Sequence, residues 1–148
     1  MPFEPTSDEE ARVPLRDTHR LGVIDPLSAL VMPSRSADPM DRANCERRLP
    51  VFDGTARFDV VLTYSGVRQL KGEAGYTGNA LVCTARYVPV AGHRPGRRAI
   101  KFMTENRDID TSLVPVNGGK ALIPYRISVK TMIGTSVIQA NRFAISRP

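Results

Sequence analysis

The densest group of chemically able side chains in this 148-residue chain is Gly92-His93-Arg94-Pro95-Gly96-Arg97-Arg98. Three guanidiniums on a loop bounded by glycine and proline can grip a phosphate or carboxylate through paired N–H donors. His93 could titrate near neutral pH, although no acid stands beside it in the sequence. A looser basic group, Arg42, Arg47 and Arg48, flanks Cys45. The competing reading is a solvated turn, the commoner fate of arginine at a surface.

Other constellations carry less. Asp108 and Asp110 could be paired as acid and base, but residues two apart on a strand share a face, and a half-exposed strand explains them equally well. Ser65-Gly66 and Ser112 lack the strand–elbow–helix setting of a hydrolase nucleophile. Gly118-Gly119-Lys120 is too short for a phosphate-cradling loop and reads as part of a hairpin. His19 and His93 show no zinc-binding spacing to the cysteines. No catalytic residue, metal or cofactor is expected.

Cys45 and Cys83 are the two cysteines of the chain. A bridge between them would close a loop of about 38 residues and stabilise the fold by roughly 4 kcal/mol on the chain-entropy estimate. Two separately buried thiols are the other reading. A bridge implies an oxidising compartment. If it forms, Arg47 and Arg48 approach the base of the strand that carries Cys83, and a combined anion-binding face with the 92–98 loop is expected.

Composition narrows the classes. Hydrophobic residues make up 41% and charged residues 24%, which suits one globular domain. No apolar run is long enough for a membrane-spanning helix, so any association with a membrane is expected to be peripheral at most. There is no tryptophan and only 6% aromatic residues, which argues against a stacking groove for nucleic acid. The net charge of +6 and pI near 9.8 fit an anionic partner or scattered solvated cations. The polar, acidic start Met1-Pro2-Phe3-Glu4-Pro5 is no secretory signal, and taken alone it indicates the cytoplasm.

The elements that must position these residues are mainly β. Residues 1–20 read as a flexible charged arm, and 21–148 as a single β-rich domain. Asp25-Pro26 predicts a two-turn helix ended by Pro33, with Asp25 capping and Leu27, Leu30 and Val31 on one face. Period-two alternation from Phe58 to Tyr64 predicts a strand, bent near Gly66. A second strand over Ala80–Val88 is expected to end at Pro89. Residues 99–103 suit either a helix or a strand. Ile109–Val116, a turn at Asn117-Gly118-Gly119 and Leu122–Lys130 predict a hairpin, with a last strand over Thr135–Ile145. The expectation is an antiparallel meander of five to six strands, an open sheet or part of a barrel, with a short N-terminal helix.

Four stretches carry a family resemblance. They are Asp25-Pro26-Leu27-Ser28-Ala29-Leu30, Cys45-Glu46-Arg47-Arg48-Leu49-Pro50-Val51-Phe52-Asp53-Gly54, Val82 through Pro95, and Pro124-Tyr125-Arg126-Ile127-Ser128-Val129. In this order they resemble alphaproteobacterial members of an exported family called domain of unknown function 3108. The resemblance implies a signal-bearing periplasmic β-protein of which this chain is the carboxy-terminal part, its sheet lacking upstream strands. It supplies no catalytic residues.

The expectation is therefore a non-enzymatic protein of the cell envelope, periplasmic or exported. It would bind a lipid, a glycan or a partner protein, or act structurally, with no nucleic-acid partner. A homodimer or upstream strands would complete the sheet. The alternative is an enzyme or binder of an anionic substrate using Arg47, Arg48, His93, Arg94, Arg97 and Arg98. A concave apolar pocket would favour lipid.

Overall fold

The computed structural model describes residues 12–72, 75–106, 108–131 and 133–139. Its strands are β1 (Met32–Pro33), β2 (Arg48–Phe52), β3 (Arg57–Lys71), β4 (Thr77–Ala91), β5 (Ile109–Val116), β6 (Ala121–Thr131) and β7 (Gly134–Gln139), with one α-helix, α1 (Arg98–Glu105). All pair antiparallel in the order β1-β6-β5-β4-β3-β2, and β7 also lies against β6. The sheet curls into a half-barrel.

The period-two pattern sets its two faces. Phe58, Val60 and Leu62 stand opposite Pro89, Tyr87 and Ala85 on the concave side. Val61, Thr63, Thr84 and Arg86 alternate onto the convex side. The register slips between Tyr64 and Gly66, where the extra residue bends β3 as the glycine predicts. Leu62, Leu81, Cys83, Leu113 and Leu122 build the concave core. Ala80 and Val114, neighbours of Leu81 and Leu113, form a second cluster with Leu70 and Tyr125 on the other face.

Cys45 and Cys83 are bridged, with Cα atoms 5.4 Å apart, and both are fully buried in the concave core. The bridge pins the 34–46 loop across β4. The hairpin turn at Asn117, Gly118 and Gly119 takes positive φ at all three residues, as its sequence requires.

Three local expectations are corrected. Asp25 caps as predicted, accepting from the Ser28 amide at 2.8 Å, but the helix it starts is a single 3-10 turn over Ser28–Leu30. Two turns cannot sustain themselves, and Met32–Pro33 instead joins the Ala121–Leu122 end of β6. Pro89 does not end β4, which continues to Ala91. β5 covers β4 only over Leu81–Thr84, so the far side of β4 at Pro89 has no ladder needing an amide hydrogen. Arg48–Phe52, interrupted by Pro50 and not foreseen as a strand, pairs β3 along its whole length.

Residues 99–103 are helical, with Ile100 and Met103 turned inward and Ala99, Lys101 and Glu105 exposed. The last strand is described to Gln139; its expected continuation through Ile145 lies outside the described residues. Of the charged arm expected over residues 1–20, residues 1–11 also lie outside them. From Arg12 the chain is bonded to the domain: the Val13 amide donates to the His93 carbonyl at 2.8 Å, and the Gly92 amide to the Val13 carbonyl at 2.6 Å.

Candidate functional site

The concave face holds an apolar cup of about 230 Å³. Leu49 and Val51 of β2, Val60 and Leu62 of β3, Ala85 of β4 and Leu113 of β5 form its floor, and Pro124 and Ile127 of β6 continue it. Among the described residues Thr111 is the one polar residue on its wall, and its hydroxyl is buried with no partner there.

The cup is roofed by residues 24–33, which run from one edge of the sheet to the other. At one end the Ile24 amide donates to the Pro50 carbonyl at 2.9 Å, and the Phe52 amide returns to Ile24 at 3.0 Å. At the other end Met32 pairs with Leu122, and the Ser34 amide donates to the Lys120 carbonyl at 2.9 Å. This strap turns Pro26, Ala29 and Leu30 toward the cup. Leu27 and Val31 point away and are exposed, 78% and 54%. The apolar face that the sequence assigned to a helix is thus split between cup and solvent.

A second hollow of about 330 Å³ adjoins the cup on the same face, and Phe58 lines both. Phe58 and Tyr87 meet there with ring centroids 5.2 Å apart. Beyond the pair the wall becomes polar: Arg12, Asp53, His93, Arg94 and Arg97 stand around it, with Ile100 and Met103 of α1 at the side. Gly92 fixes this loop. Its φ is +81°, and a Cβ would lie 2.2 Å from the Thr55 carbonyl oxygen.

Burial lowers the pKa of His93, opposed by the nearby Ala91 carbonyl, which nonetheless makes no hydrogen bond of good geometry with Nδ1. Burial raises the pKa of Tyr87, and the Asp53 carboxylate adds to the rise. Both rings are therefore held in their uncharged forms over a wider range around neutrality. Arg94 Nε is buried without a hydrogen-bond partner among the described residues.

The six cationic and imidazole residues singled out from the sequence divide. His93, Arg94 and Arg97 share the hollow, whereas Arg98 is exposed outside its wall. Arg47 is buried and donates to the Asn44 backbone and side-chain oxygens, both at 3.0 Å, and to the Pro33 carbonyl at 2.9 Å. Its donors hold the 33–47 loop together. Burial, reinforced by repulsion from Arg35, lowers its pKa. Arg48 lies on the convex face, bonded to Asp59, which Arg57 also grips. The combined anion-binding face expected from both groups is not formed.

Asp108 precedes β5 and lies 3.7 Å from Lys130, while Asp110 sits within the strand. Arg12, Asp53 and Tyr87 were not foreseen. They lie far apart in sequence and no local pattern joins them; the β3–β4 pairing and the Val13–His93 contact bring them together.

No curated protein and no solved structure matches the chain. One family model does, over residues 3–141, and its description is "Protein of unknown function (DUF3108)". The match spans the strap, both hollows and every strand, so the chain belongs to this family.

Proposed function

We propose that this protein is a non-enzymatic exported protein of the cell envelope that binds a lipid through an apolar chain in the half-barrel cup. The observation that carries the reading is the cup itself. A concave wall drawn from five strands and a strap, apolar but for Thr111, offers the burial that acyl chains gain from leaving water. A folded sheet whose inner face needed no occupant would close that space with its own side chains. The Cys45–Cys83 bridge supports an oxidising compartment.

Uptake of a fluorescent fatty-acid analogue tests the binding. The wild-type protein should take it up, and Ala29→Trp, which pushes an indole from the strap into the cup, should weaken uptake by about tenfold or more. Unchanged melting of this variant would show that the fold is intact. A wild-type protein that leaves the probe in solution refutes the reading. Fractionation of the native host, with alkylation before reduction, tests the compartment: the protein should be periplasmic and bridged, and a reduced cytosolic population would refute export.

A further inference from the structure

The hollow beyond Phe58 and Tyr87 gathers donors that the fold itself does not use. Arg12, Arg94 and Arg97 line it, and none is paired with a carboxylate among the described residues. Arg12 spends one N–H on the Gly92 carbonyl at 2.7 Å. Arg94 Nε and His93 Nδ1 are buried there with no partner among the described residues. A buried donor such as Arg94 Nε costs about 1–3 kcal/mol without an acceptor, and an acceptor on a bound anion would offset that cost.

Among the described residues, Asp53 is the one carboxylate on the wall. Its Oδ1 is taken by the Thr55 and Ala56 amides at 2.8 and 2.7 Å, which fixes the turn and spreads its charge. Among the described residues, three guanidiniums stand against one engaged carboxylate, which makes this wall cationic. It opens onto the same concave face as the cup, across the shared ring of Phe58.

We infer that the ligand is a single-chain amphiphile with an anionic head group, its chain in the cup and its carboxylate or phosphate against Arg94 and Arg97. This rests on the reading of the cup as an acyl site and adds what that reading lacks, a selection by charge. The chain supplies apolar burial, and the head group meets paired N–H donors in a site partly shielded from water. Together the two hollows have the volume of an ordinary small-molecule site, about 300–1,000 Å³.

Titration calorimetry with dodecanoate and with dodecanol, which share a chain and differ in charge, tests the inference. Wild type should bind dodecanoate about tenfold tighter or more. Arg94→Gln/Arg97→Gln should erase that preference and leave dodecanol binding unchanged. Arg68→Gln/Arg86→Gln, which removes two exposed cations elsewhere on the sheet, should retain it. Millimolar acetate or phosphate should not displace dodecanoate, because neither brings a chain.

Equal binding of the two amphiphiles by wild type overturns the head-group site and leaves the cup reading standing. A preference that survives in Arg94→Gln/Arg97→Gln, or is lost equally in Arg68→Gln/Arg86→Gln, overturns it too. Displacement by acetate or phosphate would make the hollow a site for free small anions. Failure of both amphiphiles to bind overturns the cup reading and this inference together. Should the double variant melt early, Arg97→Gln alone carries the comparison, since the Arg97 side chain is exposed.

Discussion

The Thr111 hydroxyl lies buried on the cup wall, surrounded by aliphatic groups and without an acceptor among the described residues. Valine has the same shape and no donor to satisfy, so Thr111→Val should stabilise the protein by about 1 kcal/mol, read from the urea midpoint. Asp59 is the opposite case, a buried carboxylate fully engaged by Arg48 and Arg57. Burial alone would raise its pKa, but the bonds and charges of the two arginines outweigh it and hold the group below the ordinary 3.8. A depressed native pKa contributes stability that is complete above 3.8 and is lost as pH falls through the native value. Asp59→Asn should therefore be less stable at neutral pH by about 2 kcal/mol, because the largely buried Arg57 loses its charge partner. Its melting temperature should also fall less steeply than that of wild type below about pH 4.

The turn around Gly92 binds the segment at Arg12 and Val13 to the loop that carries His93 and Arg94. Gly92→Ala forces a methyl group against the Thr55 carbonyl in a backbone conformation that alanine resists. It should cost more than about 2 kcal/mol in thermal or urea denaturation. In a titration with dodecanoate and dodecanol it should also blur the discrimination between them, since Arg94 moves with the turn. Several elements were readable from local pattern. The β3 alternation, the bend at Gly66 and the Asn117-Gly118-Gly119 turn each follow from a preference of the residues involved. The strap was not readable. Residues 25–32 carry a cap, a first-turn proline and an i, i+3, i+4 apolar set, yet pairing of Met32 with Leu122 outweighs two turns of helix. Pro50 hid β2 by breaking the alternation of Leu49, Val51 and their neighbours.

The sequence pointed to an antiparallel open sheet or part of a barrel and left a bridge or two buried thiols open; the sheet is a half-barrel and the bridge forms. The bridge spans 38 positions, which by chain entropy contributes roughly 4 kcal/mol. Cys45→Ser/Cys83→Ser should lose about that much, measured by denaturation beside the oxidised protein. A loss under about 1 kcal/mol would mean that the loop is held by Arg47 and Asn44 alone. The cationic half of the site was half visible, because His93, Arg94 and Arg97 are neighbours in the chain. Arg12, Asp53 and Tyr87 reach them only through the folded sheet, and the cup draws its wall from Pro26 to Ile127. No local window of sequence holds such a surface.

The strap has a further consequence for the order of events. Met32 is synthesised long before Leu122, so this end of the roof cannot latch until β6 exists, while β3 and β4 zip together through a nearby turn. What closes last through few bonds also opens first. The amides of Ile24 and Ser34 should therefore exchange with deuterium well before those of Leu62 and Cys83, and the cup would fill and empty through this fraying latch while the sheet beneath stays intact. Equal protection at all four amides would mean that the roof and the sheet unfold as one unit.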